Sequence, residues 1–219
     1  MAYEDRGAAG KKLAEALLDY ADEPDTIVLG LPRGGVPVAY EVAEALDAPL
    51  DIFTVRKLGI PGHEELAMGA IATGGVRVMN PDIIQSSNIS DSEIEAVAEE
   101  ERQELERREQ AYRGKRVRAN LKNRTVLLID DGLATGATMR AAVTALRKHD
   151  PKRIVVAVPT APPETAAKFQ NMDIVDEVVC LETPSPFFGV GGSYRDFSQT
   201  TDEEVRMLLD KANADNKES

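Results

Sequence analysis

Strand, loop and helix patterns alternate along the 219 residues, and this alternation predicts an α/β fold, a parallel β-sheet flanked by helices. A second observation agrees with it. The runs TIVLGLP (26–32), RTVLLI (124–129) and RIVVAVP (153–159) are apolar on both faces, as strands covered on two sides must be. A third is the absence of any internal repeat or low-complexity tract, so the pattern belongs to one domain spanning 1–219, a length that suits a single core.

The elements follow in order. AAGKKLAEALLDY (8–20) reads as an amphipathic helix with Leu13, Leu17 and Tyr20 on one face. TIVLGLP is a short buried strand, followed by RGG and a helix from Val36 to Leu46. LDIFTV (50–55) is a second strand, KLGIPGHEE (57–65) a polar loop broken by Gly and Pro, and MGAIATGGVRVM (68–79) strand structure with a Gly-Gly turn. Ser90 and Glu93 form a capping box at the head of a long charged helix that runs to about Tyr112, with Ile94, Val97, Ala98 and Leu105 as a thin apolar stripe. Then come strand 124–129, helix 138–149, strand 153–159, helix 163–170, strand 177–182 and a last helix from Asp202 to about Ala212. The final residues, NADNKES, are expected to fray.

Composition excludes several classes. A single Cys permits no disulfide framework, and the N-terminus has no apolar signal core, so an intracellular, cytoplasmic setting is expected. No apolar run approaches the roughly 20 residues of a membrane helix. A net charge of −12 argues against nucleic acid or an anionic membrane as a bulk partner.

The most informative stretch is LLIDDGLATGAT (127–138). A buried strand runs into two adjacent carboxylates, Asp130 and Asp131, then into a Gly/Thr turn and a helix. Gly132 and Gly136 let the backbone bend, and amides of residues 134–138 at a helix N-terminus make an anion nest. There is no Gly-Lys-Ser/Thr of a Walker loop and no G-x-G-x-x-G. Two acids repel phosphate but accept hydrogen bonds from sugar hydroxyls. The loop therefore suits a phosphate with a vicinal diol beside it, as in a 5-phosphoribosyl group. The structural alternative is a capped turn with one solvated acid.

DDGLATGAT (130–138) resembles the phosphoribosyl-diphosphate (PRPP) motif of type I phosphoribosyltransferases. The resemblance implies that Asp130 and Asp131 hold the ribose hydroxyls, while Ala134, Thr135, Gly136, Ala137 and Thr138 hold the 5′-phosphate. GLPRGGVPVA (30–39) is similar to the family's pyrophosphate loop, which implies diphosphate contacts from Arg33, Gly34 and Gly35. Lys57, with Arg56 behind it, matches a basic residue that often reaches the diphosphate in this family; two solvated cations are the plainer reading. The resemblance covers about residues 26–182. It implies a Rossmann-like sheet of strand order 3-2-1-4-5, an inserted helical arm at about 90–120 and a C-terminal hood at about 183–219.

The implied chemistry is displacement of pyrophosphate from PRPP by a nitrogenous acceptor, commonly a nucleobase, through an oxocarbenium-like transition state. Mg²⁺ is the implied cofactor, bound mainly through the substrate's phosphates rather than by a protein cage, and a homodimer is the family's usual assembly. Lys57, Asp130 and Asp131 are the candidate catalytic residues. KLGIPGHEE suits a mobile active-site loop; Glu64 and Glu65 there are acid/base or metal candidates, or simply solvated. For the acceptor, FFGVGGSYRDF (187–197) offers Phe187, Phe188 and Tyr194, either to stack on a flat heterocycle or to pack the last helix onto the sheet. The stretch RREQAYRGKRVR (107–118) of the arm carries six basic residues, Arg107, Arg108, Arg113, Lys115, Arg116 and Arg118. It reads as a solvated arm, as a flap adding an Arg to the site, or as an RNA contact. The RGG loop, long arm and SYRDF tail together look most like a group of phosphoribosyltransferases whose acceptor is unassigned. A non-catalytic module that senses PRPP or binds RNA is the alternative.

Overall fold

The computed structural model describes residues 2–87 and 89–215; the side chains of Glu64, Glu65 and Asp215 and the residues 216–219 of the terminal NADNKES lie outside the described residues. Helix α1 (Arg6–Glu15) leads through a 3-10 turn at Leu18–Tyr20 into β1 (Thr26–Gly30), α2 (Gly35–Leu46) and β2 (Leu50–Ile52). An antiparallel excursion follows, with β3 (Val55–Ile60), β4 (His63–Ala72) and β5 (Val76–Met79), then α3 (Pro81–Ser87) and α4 (Asp91–Arg113). The chain returns with β6 (Thr125–Ile129), α5 (Ala137–Leu146), β7 (Arg153–Thr160), α6 (Pro163–Gln170), β8 (Glu177–Glu182) and α7 (Asp202–Asp215). Among the described residues no helix is long and apolar enough to cross a membrane.

The main sheet is parallel, in the order β2-β1-β6-β7-β8. Its strands alternate sides. Val28, Leu127, Ile129, Val155 and Ala157 pack under α1, α2 and α7, while Ile27, Leu29, Val126, Leu128, Ile154, Val156 and Val158 pack under α5 and α6. That period-2 division of continuous apolar runs is why the strands read as hydrophobic throughout.

Three expectations are corrected. Counted in chain order, the five parallel strands lie 2-1-3-4-5, not 3-2-1-4-5. No strand lies outside β2 because the arm closes that edge. Buried Arg113 at the end of α4 donates to Asp51 Oδ1 (3.0 Å) and to the Ile52 carbonyl (2.6 Å), and Ala119 N–H donates to Asp51 Oδ2 (3.0 Å). Charged and irregular cover of this kind prevents an edge from pairing further. Second, KLGIPGHEE is not a loop but a hairpin, with β3 and β4 paired antiparallel around a tight turn at Pro61-Gly62. Gly59 sits at a register irregularity rather than in a loop, and Gly62 supplies the positive φ (+80°) that the turn requires. The strand expected over 50–55 likewise stops at Ile52, and Val55 already belongs to the second sheet.

The three-stranded sheet β3-β4-β5 packs one face on α4, through Leu58, Ile60, Met68, Ile71, Ile94, Ala98 and Leu105, and the other on α5. The capping box forms as expected, with Ser90 N–H donating to Glu93 Oε2 at 2.9 Å. The basic residues of the arm are largely matched within the chain. Arg107 and Arg108 pair with Glu104, Arg116 with Asp210 and Arg118 with Glu109. The arm is a docked helix bound by ion pairs.

Candidate active site

β1 and β6 are adjacent and parallel, with Gly30 opposite Ile129, so the loops that follow them leave the same edge of the sheet side by side. This is the edge where open α/β sheets bind ligands. The RGG loop meets the acidic loop closely. A Cβ on Gly34 would stand 2.1 Å from Asp131 Oδ2, and one on Gly35 would stand 2.7 Å from the Ile129 carbonyl and 2.9 Å from Asp130 Cα. The two glycines thus permit contact between loops that are about a hundred residues apart in sequence. The Pro32–Arg33 peptide is cis. The Arg33 guanidinium is partly exposed and 3.5 Å from Asp202 Oδ1.

Each carboxylate has one oxygen committed to the protein. Asp130 Oδ1 accepts from Asp131 N–H at 2.9 Å, and Asp131 Oδ2 accepts from Arg6 Nε at 2.8 Å. The other oxygens, Asp130 Oδ2 and Asp131 Oδ1, take no hydrogen bond from the described residues. Two free acceptors on neighbouring half-buried carboxylates match the two donors of a vicinal diol. Burial, and next the charge of Asp131, hold the Asp130 carboxyl well above the usual carboxylate range. Burial also raises Asp131, against the opposing hydrogen bond and charge of Arg6.

Residues 132–136 are fastened to the end of β7 and to α6. Leu133 N–H donates to Thr160 O (2.9 Å) and Thr165 Oγ1 donates to Ala134 O (2.9 Å). Gly136 has φ +72°, and a Cβ there would strike the Phe169 ring at 2.5 Å. The bend leaves Ala134, Thr135, Ala137 and Thr138 exposed at the start of α5. The amides of the first helical turn have no intrahelical acceptor, which gives this exposed turn its affinity for anions.

Lys57 lies exposed on β3 and lines a cleft of about 390 Å³ between the antiparallel sheet and α5, together with Asn80, Ala137 and Arg140. Neither Lys57 nor Arg140 has an acidic partner among the described residues. The expected acceptor residues separate. Phe188 is 83% exposed and Phe187 half-buried, whereas Tyr194 is buried at 6%, its ring in contact with Tyr3 and Phe197. The Tyr194 hydroxyl donates to Asp131 O at 2.5 Å. Tyr194 therefore props the acidic loop and presents no open face to an acceptor.

Arg6 has no motif around it and was not legible as a site residue. Its only sequence signal is a basic residue placed just after Asp5, the N-cap of α1. His149 lies beside Phe53, with Nε2 3.2 Å from Thr73 O, away from the acidic loop. Burial pushes the Cys180 thiol up to about 11.

Comparison with known proteins agrees with this geometry. The model of the phosphoribosyl transferase domain matches residues 2–191. A protein of Mycobacterium tuberculosis, provisionally named a phosphoribosyl transferase, is 47% identical over 213 residues, covering 97% of this chain and 47% of its own length. The chain thus spans about half the length of the curated relatives it matches. The transcriptional regulator GfcR of Methanosphaera stadtmanae is 28% identical over 148 residues, covering 67% of this chain and 52% of the regulator. The crystal structure of TT1426 from Thermus thermophilus superposes with a TM-score of 0.84 at 44% identity, covering 95% of this chain and 98% of that one. With the family model matched over most of its length, the chain belongs to the phosphoribosyl transferase domain family.

Proposed function

We propose that the chain transfers the 5-phosphoribosyl group of PRPP to a nitrogenous acceptor, a nucleobase in the simplest case, and releases pyrophosphate. The observation that carries this reading is the pair of unclaimed carboxylate oxygens, Asp130 Oδ2 and Asp131 Oδ1, beside an exposed helix N-terminus. Those oxygens accept the ribose 2′ and 3′ hydroxyls, and the turn from Ala134 to Thr138 receives the 5′-phosphate. Arg33, the amide of Gly34 and Lys57 supply positive charge to the diphosphate, while the Gly35 amide is committed to the Leu31 carbonyl (3.0 Å) and Gly35 serves the close approach of the two loops. As the C1–O bond breaks, its electron pair leaves with pyrophosphate and the acceptor nitrogen bonds to C1. The negative charge of the acidic pair faces the developing oxocarbenium ion, and the two loops hold the ribose in line for attack.

Mg²⁺ would neutralise the diphosphate as it departs. Among the described residues no group of three or more His, Cys, Asp or Glu side chains forms a cage, and the cation would be held mainly by the substrate's own phosphates. Phe188 is the exposed ring available to an acceptor, with half-buried Phe187 beside it. The assembly proposed is a homodimer, to be checked by light scattering.

The test is calorimetric titration of PRPP with Mg²⁺ into wild type and into Asp130→Asn/Asp131→Asn, followed by an acceptor screen that reads pyrophosphate release. Binding in wild type and its loss in the folded double variant are expected; equal affinity in both would refute the ribose assignment. The similarity to a protein named a transcriptional regulator favours one alternative, a PRPP sensor without catalysis. It predicts the same binding and no acceptor-dependent pyrophosphate.

A further inference from the structure

We infer, resting on the ribose assignment above, that Arg6 is a positioning residue of the ribose site. It acts through Asp131 and is held in place by a clasp between the two ends of the chain.

The clasp is built from main-chain bonds. Tyr3 N–H donates to Ser193 O (2.8 Å), Arg195 N–H to Tyr3 O (2.8 Å) and Asp196 N–H to Glu4 O (2.9 Å). Tyr3 and Tyr194 form the corresponding bridge. This strip brings Arg6 to the acidic loop and surrounds its guanidinium. Nε donates to Asp131 Oδ2 (2.8 Å), Nη1 donates to Ser198 O (2.7 Å), and the Phe197 ring lies 4.0 Å below. The Arg6 side chain is only 12% exposed and that of Asp131 14%, so the pair is little screened by water.

Asp131 is consequently held at two points: its carbonyl by Tyr194 and one carboxylate oxygen by Arg6. Arg6 takes Oδ2 and leaves Oδ1 without a hydrogen bond from the described residues, available to a ligand hydroxyl. It also supplies the positive charge beside two adjacent acids. The groups facing the pair are Arg6 from α1, Tyr194 from the segment after β8 and the RGG loop, whose Arg33 is already engaged with Asp202. Asp196 faces Arg6 from the clasp. No second cation touches the acidic pair among the described residues. Without Arg6, the carboxylates hold their protons to higher pH and Asp131 is free to rotate.

The SYRDF tail thereby has a role in the site: Ser193, Tyr194 and Phe197 all serve the acidic loop or its arginine.

The experiment measures PRPP affinity with Mg²⁺ by calorimetry between pH 5.5 and 8.5, for wild type, Arg6→Gln and Arg6→Lys, with thermal denaturation as a fold control. Arg6→Gln is expected to bind about tenfold or more weakly at pH 7, with the pH of half-maximal affinity moved upward. Arg6→Lys keeps the charge and loses the planar fork, so its affinity falls while its pH profile stays with wild type. An Arg6→Gln profile that coincides with wild type, or falls equally at every pH, overturns the inference; in the second case the residue is merely structural. If Arg6→Gln fails to fold, Arg6→Lys decides: a displaced pH profile in that variant overturns it. Absence of binding in wild type instead overturns the ribose assignment itself.

Discussion

Gly34→Ala separates two explanations of the RGG loop. Gly34 has φ −63° and ψ −31°, a helical conformation that alanine adopts freely. On backbone grounds alone the substitution restricts the unfolded chain and stabilises by about 0.4–1 kcal/mol. The surroundings say the opposite. The new Cβ would lie 2.1 Å from Asp131 Oδ2, 2.8 Å from Asp131 Cγ and 3.3 Å from Arg6 Nε. Asp131 cannot simply swing aside, because that oxygen is bonded to Arg6 and its carbonyl to Tyr194. Overpacking costs about 1–3 kcal/mol, and the charge-assisted bond to Arg6 is worth about 1.5–3 kcal/mol. Since relieving the clash means breaking the bond, the two are alternatives more than a sum. Less the backbone gain, a net destabilisation of about 1.5 kcal/mol remains, which in a chain of this size lowers Tm by about 3–6 °C. PRPP affinity falls with it. Scanning calorimetry and PRPP titration of the same preparation check both effects. A Tm equal to or above wild type, with binding retained, would show that the two loops do not approach as described.

Other predictions follow from the same contacts. The native Asp130 carboxyl sits well above its ordinary value of 3.8, so the folded protein binds this proton more tightly than the unfolded chain does. Stability is then fullest below the ordinary value and declines as pH rises through the raised one. Asp130→Asn, which keeps an acceptor at Oδ1, is expected to be more stable than wild type at pH 7.5 and equal to it near pH 4, while losing PRPP binding; melts across pH measure this. Arg113→Ala strips the cationic partner from Asp51, leaving it only main-chain donors, and uncaps the Ile52 carbonyl in a setting only 7% exposed on the arginine side. A loss of about 3 kcal/mol by urea denaturation is expected, and a change under about 1 kcal/mol would mean that the arm does not close the β2 edge. The Cys180 thiol, held up at about 11 by burial, is expected to react slowly with a disulfide reagent at pH 8 until the protein unfolds.

Some features were written locally, and those were legible. The buried strands that lead into the RGG and acidic loops, the capping box at Ser90 and the helix that follows Gly136 each depend on residues within one turn or a few positions. DDGLATGAT was recognisable for the same reason, since its glycines, hydroxyls and acids act within nine consecutive residues. The β3-β4 hairpin was misread because Gly59, Pro61 and Gly62 are loop formers by propensity, and the pairing that overrides them, with α4 and α5 covering its two faces, is not local. Tyr194 was read as an acceptor contact because its chemistry permits it, and only its burial against Tyr3 and Asp131 assigns it to support.

The sequence by itself determined the α/β class and the loop with its acids, because backbone periodicity and turn chemistry are short-range, and the resemblance of that loop to a known motif pointed to the family. The tertiary structure alone decided the strand order, the close contact of the RGG loop with Asp131, and the arrival of Arg6 at a carboxylate 125 residues away. Those depend on which surfaces meet once the apolar faces are buried, and a charge pair across 125 residues has no period or spacing by which a sequence could announce it.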